Sequence, residues 1–190
     1  MLKRSLMIAG VISLAQTASA DEFANALNMY VQEYVAMWAS DPIIIDTIVH
    51  ANEVNAALDA AKVLELDATW RSEVGTQDTP TITPILTNPA ADFLRDKVDG
   101  SGGIISEAFI MDARGLNAAA SSLTSDMWQG DEEKFTASYG AGVGAVHIGD
   151  VEFDESTQSY LGQVSLAITD PASGALVGAL TVGINAEALF

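Results

Sequence analysis

Two histidines, a surplus of carboxylates and one tryptophan-bearing loop are the groups in this chain that could do chemistry. His50 follows Asp46 by four residues in a segment of helical periodicity, where an i, i+4 ion pair is the ordinary outcome. His147 falls in an alternating run, on the same side as Val143, Val151 and Phe153, and reads as a packed or edge histidine rather than a base. The chain has no H-E-x-x-H zinc helix and no G-x-S-x-G nucleophile turn. Gly140-x-Gly142-x-Gly144 lacks the lysine of a phosphate loop and runs into a strand, so its glycines ease a bend or a close backbone approach. Asp150, Glu152, Asp154 and Glu155 could offer hard oxygen ligands to Ca²⁺, but without EF-hand spacing they read as a solvated acidic loop. No credible set of nucleophile, base and metal emerges, so the expectation is a non-enzyme without cofactor or metal.

The segment Thr124-Ser125-Asp126-Met127-Trp128-Gln129-Gly130-Asp131-Glu132 stands apart. It joins an aromatic face, an amide and carboxylates in one loop, the mixture with which loops grip small molecules. Trp128 could equally plug the core while Asp126 caps a helix starting near Asp131, and the residues alone leave both readings open.

The elements that must position these groups divide the chain into a helical half and a strand half. Phe23, Leu27, Tyr30, Tyr34 and Met37/Trp38 recur at helical spacing and predict one apolar stripe on a long helix. Asp41-Pro42 reads as N-cap and first residue of the next helix, whose apolar face begins with Ile44, Ile45 and Ile48. Val63, Leu66 and Trp70 mark a further short helix. Pro80, Pro84 and Pro89 make 75–89 an extended loop, with one or two helical turns over 92–97. Strands are predicted at 104–112, 116–121, 143–153, 158–170 and 175–185, with Gly115 supplying the positive φ of the first hairpin turn. In the last two strands Tyr160, Val164, Leu166, Ile168, Leu176, Leu180, Val182 and Ile184 share one face. Gln163, Ser165, Ala167, Thr169, Ala175, Val177, Ala179 and Thr181 share the other, which is small and polar enough to leave room for water, a covering loop or a ligand.

Charge and composition narrow the partners. With 26 acidic against 8 basic residues and a net charge of −18, the chain is unsuited to nucleic acid or to an anionic membrane surface. The absence of cysteine excludes disulfides, thiolate nucleophiles and Cys-ligated zinc. Lys3 and Arg4, a short apolar run and Ala18-Ser19-Ala20 make residues 1–20 a secretory signal peptide cleaved after Ala20. Residues 21–190 then form one soluble, periplasmic or secreted domain without membrane insertion.

Five segments carry a resemblance to a known family: Glu107 to Asn117 (EAFIMDARGLN), Ser125 to Asp131 (SDMWQGD), Asp154-Glu155-Ser156, Gly162 to Ser165 (GQVS) and Leu176 to Ile184 (LVGALTVGI). Together with Pro42, Ile43 to Ile45, Asn52 and Leu66-Asp67…Trp70 in the helical half, they resemble a Cache domain of the PDC-sensor type. The resemblance implies an α+β fold: a PAS-like antiparallel β-sheet of about five strands with a long N-terminal helix packed on one face. It implies a ligand pocket on the other face, with Trp128 and Gln129 at its lid, Asp154 opposite a ligand ammonium, and Gln163 and Ser165 pointing in. The arginine that amino-acid-sensing relatives place on a ligand carboxylate has no clear match; Arg114 sits in a turn and Lys134 is the one nearby cation.

The reading is therefore a small-molecule-binding sensor domain without an output domain of its own, acting with a membrane receptor or histidine kinase. Trp128, Gln129, Asp126, Asp131, Asp154, Gln163 and Ser165 are the binding candidates, and an acidic pocket favours a neutral or cationic ligand over a dicarboxylate. The alternative is an interaction module with a vestigial pocket, forming a homodimer through the N-terminal helix.

Overall fold

The computed structural model describes residues 25–154 and 159–189. The expected signal peptide, Phe23 and residues 155–158, where the sequence predicts a turn, lie outside the described residues, as do the side chains of 152–154 and 159.

The N-terminal helix begins as α-helix over residues 25–30 (α1), widens into a π-turn at Val31–Val35 and ends in the 3₁₀ turn Trp38–Ser40. Ala36 N–H donates to Val31 O at 2.8 Å, the i→i+5 bond that marks the wider turn. That extra residue moves the buried line. Leu27, Val31, Val35 and Trp38 are buried, whereas Tyr34 and Met37 of the predicted stripe face outward at 48% and 69% exposure.

Asp41 caps the next helix, α2 (Pro42–Asn55), by accepting from Ile43 N–H at 3.0 Å, and Ile44, Ile45 and Ile48 are buried beneath it. Asp59 caps α3 (Ala60–Glu73), a helix of 14 residues. The expected loop over 75–89 contains a helix, α4 (Ile82–Leu86), and the expected turn or two at 92–97 is the 12-residue α5 (Pro89–Gly100). Both departures have the same origin. The start of α4 is held from a distance: Glu73 accepts from Thr81 N–H at 2.9 Å and Ile82 N–H at 3.1 Å. Pro84 and Pro89 sit in first turns, where a missing N–H costs nothing. Asn88 caps α5 through Ala91 N–H and donates across to Ala118 O at 3.0 Å.

The sheet has five antiparallel strands in the order β2-β1-β5-β4-β3: β1 (Ile105–Met111), β2 (Asn117–Ala120), β3 (Val146–Asp154), β4 (Ser159–Thr169) and β5 (Leu176–Asn185). Gly115 closes the β1–β2 turn with φ +80°. One face carries Ala108, Ile110, Val164, Leu166, Ile168, Leu180, Val182 and Ile184 against α1, α2 and α5. Val177 joins this cluster instead of the opposite face, because a register shift between Ile168 and Thr169 breaks the alternation. On the opposite face, Phe109, Met111, Ala120 and Ala179 pack against Phe135 of α6 (Glu133–Thr136).

Candidate functional site

The loop after β2 is tied to α3 before it reaches the sheet. Trp70 Nε1 donates to Thr124 O at 2.9 Å. Asp67, 3% exposed, accepts from Met127 N–H and Trp128 N–H, both at 3.1 Å and both on Oδ1. Its other oxygen meets Arg71, whose Nε lies 2.8 Å from Asp126 Oδ1. Trp128 Nε1 donates to Arg114 O at 2.8 Å, and the indole packs with the Val63, Trp70, Leu116 and Met127 cluster. The structure thus places Trp128 and Asp126 on the α3 side, where Asp126 pairs with Arg71; Glu132 stands at the N-cap of α6. Asp131 is exposed.

Gln129 belongs to a different group. It is 1% exposed, donates Nε2 to Asp126 O at 2.9 Å, and accepts on Oε1 from Lys134 Nζ at 3.2 Å. Lys134 also pairs with Glu132 at 2.9 Å, and its ammonium lies 5.6 Å from the centre of the Phe109 ring. A cation over an aromatic face is attracted by the ring quadrupole. Lys134 therefore stands over the sheet face that holds Phe109.

That face carries a polar row under α6. Phe109 of β1 pairs with Thr181 of β5, Thr181 with Ser165 of β4, and Ser165 with His147 of β3. Directly paired residues in antiparallel strands project to the same side. Ser165 Oγ and Thr181 Oγ1 are fully buried and bond each other at 2.8 Å. In the next row Gln163 donates Nε2 to Glu107 Oε1 at 3.1 Å. Phe135 and Tyr139 cover the row, their rings stacked at 4.9 Å and 17°. Burial, reinforced by the Asp112 charge, pushes the Tyr139 phenol above its ordinary pKa, so it stays a neutral donor.

Of the sequence-predicted residues, Gln163 and Ser165 stand on this face and Gln129 reaches it through Lys134. Asp154 ends β3 opposite Ser159, with its side chain outside the described residues. Thr181 stands on this face as the alternation predicted, Lys134 is the cation noted in the sequence, and Glu107, Phe109 and His147, which were not among the candidates, complete the group. His147 was assigned to the side of Val151. A register shift between Ile148 and Val151 puts Val151 opposite Gly162, and so on the other face from His147, which pairs with Ser165.

A concavity lies at the β2 edge, between α2 and α4. It has a volume of about 530 Å³ and includes Asp46 and His50 at its rim. These two do not form the expected ion pair; among the described residues no salt bridge joins them. Among the described residues no cluster of three or more His, Asp or Glu is arranged to hold a metal ion, and no helix is long and apolar enough to cross a membrane.

A five-stranded antiparallel sheet with an N-terminal helix on one face and a short covering helix on the other is the fold of a PDC-type Cache sensor domain. The sensor domain of the histidine kinase DctB of V. cholerae shares it with a TM-score of 0.52 at 11% identity, over 92% of this chain and 56% of that one. The isoleucine-bound sensory domain of the Campylobacter jejuni chemoreceptor Tlp3 matches at TM-score 0.42 and 12% identity, over 88% of this chain and 64% of that one. The ligand-binding domain of the Pseudomonas aeruginosa amino-acid chemoreceptor PctC, in complex with GABA, matches at 0.38 and 14%, over 77% and 60%. The chain therefore spans less than two thirds of each of these solved chains. No protein-family profile and no curated protein sequence matches it.

Proposed function

We propose that this chain is an exported, soluble sensor domain that binds a small neutral or cationic molecule between α6 and the Phe109–Thr181–Ser165–His147 row. The observation that carries the reading is that row: two hydroxyls and an imidazole beside a phenyl ring, with the Gln163 amide in the next row, on the face opposite α1 and roofed by a helix of one turn. Glu107 is the acceptor for a ligand cation or donor, and the hydroxyls of Ser165 and Thr181 exchange their mutual bond for bonds to the ligand. Lys134, already paired with Glu132 and Gln129, holds the lid down over Phe109. The Ser165 hydroxyl is bonded to Thr181, and in this reading occupancy is the output, passed to a membrane receptor or histidine kinase. The leader at residues 1–20 directs the chain out of the cytoplasm.

Calorimetric titration with a panel of amino acids, amines, polyols and dicarboxylates tests the proposal. A saturable ligand whose affinity falls about tenfold in Ser165→Ala and in Glu107→Gln supports it. A dicarboxylate bound as tightly as its amine analogue contradicts the electrostatic argument. The leader is tested by the N-terminal sequence of exported protein, which should begin at Asp21.

The exposure of Met29, Tyr34 and Met37 on the N-terminal helix favours a second reading, a homodimer through that helix. Sedimentation of the wild type and of Met37→Glu decides it: a dimer that becomes monomeric in the variant supports the reading, and a monomer at all concentrations removes it.

A further inference from the structure

The polar row under α6 is covered completely. Ser165 and Thr181 are fully buried and Phe109 is 2% exposed, so nothing in solution reaches the two hydroxyls while the covering segment is down. The cover costs them nothing, because Ser165 Oγ and Thr181 Oγ1 satisfy each other at 2.8 Å.

The covering segment, residues 130–144, is bonded mainly to itself. On its N-terminal side the last backbone bond to the body runs from Gln129 N–H to Gly115 O at 2.8 Å. On its C-terminal side the first runs from Ala167 N–H to Ala145 O at 2.9 Å. In between, Phe135 N–H donates to Glu132 O, Ala137 N–H to Glu133 O, Ala141 N–H to Ser138 O and Gly142 N–H to Tyr139 O. The buried Ser138 hydroxyl also turns inward, to Lys134 O. Among the described residues, no backbone hydrogen bond joins 130–144 to the sheet or to α1–α5. Side chains hold it against β3, β4 and β5 instead. Phe135 and Tyr139 pack on Phe109, Met111, Ala120 and Ala179, and Lys134 reaches Gln129 Oε1 at 3.2 Å. Apolar contacts of this kind can part and re-form without unpairing a backbone group.

The two ends differ. Gly130 is fixed against the Trp128 indole and the Arg114 carbonyl. Gly142 and Gly144 have φ of +101° and +76°, and a Cβ built on either would meet nothing within 4 Å. Glycine passes between left- and right-handed backbone at little steric cost, and nothing crowds this turn.

We propose that residues 130–144 are a lid that swings as a unit off β3, β4 and β5 about Gly142 and Gly144, with Lys134 as its latch, and so controls access to the Ser165–Thr181 row. The inference rests on the binding reading above only for what passes the lid; the motion is measured without a ligand.

The chain has no cysteine, so single cysteines report opening without background. Ser165→Cys and Ala179→Cys each place a thiol under the lid. Val164→Cys, equally buried, places one on the other face of β4. Alkylation of the folded variants by iodoacetamide is followed by mass and normalised to the same thiol in unfolded protein. Both thiols under the lid should react at least about a hundredfold faster than the control, at a rate nearly flat in low urea. Local opening exposes little surface, whereas the control waits for global unfolding. Adding Lys134→Met to Ser165→Cys should speed its labelling about three- to tenfold. Labelling under the lid as slow and as urea-dependent as in Val164→Cys would overturn the proposal, as would a rate unchanged by Lys134→Met. Fast labelling in a protein that binds nothing in the calorimetric panel upholds the lid and removes the binding reading. Ligand binding with slow labelling upholds that reading and removes the lid.

Discussion

Asp67 offers the sharpest test of how the loop bearing Trp128 is held. One carboxylate oxygen accepts both backbone donors, from Met127 and Trp128, while the other meets Arg71. Asp67→Ala strands two donors that are buried or nearly so, each worth roughly 1–3 kcal/mol when left unpaired, for a total of about 2–4 kcal/mol with partial rescue by water at Trp128. Asp67→Asn keeps an oxygen in the position of Oδ1, so both backbone bonds survive. It loses only the pairing with Arg71, whose side chain is 60% exposed and retains Asp126, so the cost is about 0.5–1.5 kcal/mol. Urea denaturation reads the two costs directly, and thermal melting should show the alanine variant down by roughly 5–15 °C. The argument fails if the asparagine variant is as damaged as the alanine variant, since the charge and not the two N–H bonds would then hold the loop. It fails equally if the alanine variant loses less than about 1 kcal/mol.

Three further outcomes follow from the same geometry. Trp128→Phe keeps the ring in the Val63–Trp70 cluster but removes the bond from Nε1 to Arg114 O, and should lower stability by about 0.5–1.5 kcal/mol in urea titration. Burial pushes the Glu73 carboxyl up, but bonds from Thr81 and Ile82 outweigh it and hold the group below its ordinary 4.5. The stability Glu73 supplies is therefore complete above about pH 4.5 and is lost as pH falls through the lower folded value; Glu73→Gln should flatten that part of a melting-versus-pH curve. Phe135→Ala removes the side chain that α6 sets on Phe109, Met111 and Ala179, and should speed hydrogen exchange across residues 133–139 more than in β5.

Regular alternation and turn chemistry were legible in the sequence; irregularities within elements were not. The β1–β2 hairpin could be read because Asp112 and Gly115 carry local turn signals, and Asp41-Pro42 because a cap and its helix are adjacent. The helix α4 could not, since Glu73 holds its start from eight residues away. The outward turn of Tyr34 and Met37 and the facing of His147 and Val177 each follow from one residue out of step: a π-turn in the first case, breaks in strand register in the others. Nothing local in composition marks such a step, because the competing registers bury similar apolar groups. The site suffered the same way. The facing of Gln163 and Ser165, in regular β4, could be read from alternation, whereas His147 lies beside a register break and Lys134 reaches the sheet only through the fold of its loop.

Gly115 and Gly130 stand back to back. A methyl group built on Gly115 would lie 2.4 Å from Gly130 Cα, and one on Gly130 would lie 2.3 Å from Trp128 Nε1 and 2.7 Å from Arg114 O. Gly115 is thus closed by the backbone of Gly130, and Gly130 by the Trp128 indole and the Arg114 carbonyl. The two positions therefore differ in what could free them: a side chain at Gly115 needs the backbone at Gly130 to move, whereas one at Gly130 needs the indole to leave and the Arg114 carbonyl to shift. A descendant of this chain that acquired a side chain at Gly130 would have had to release the indole from Arg114 O beforehand, so the loss of Trp128 precedes the loss of that glycine in any viable order of substitutions.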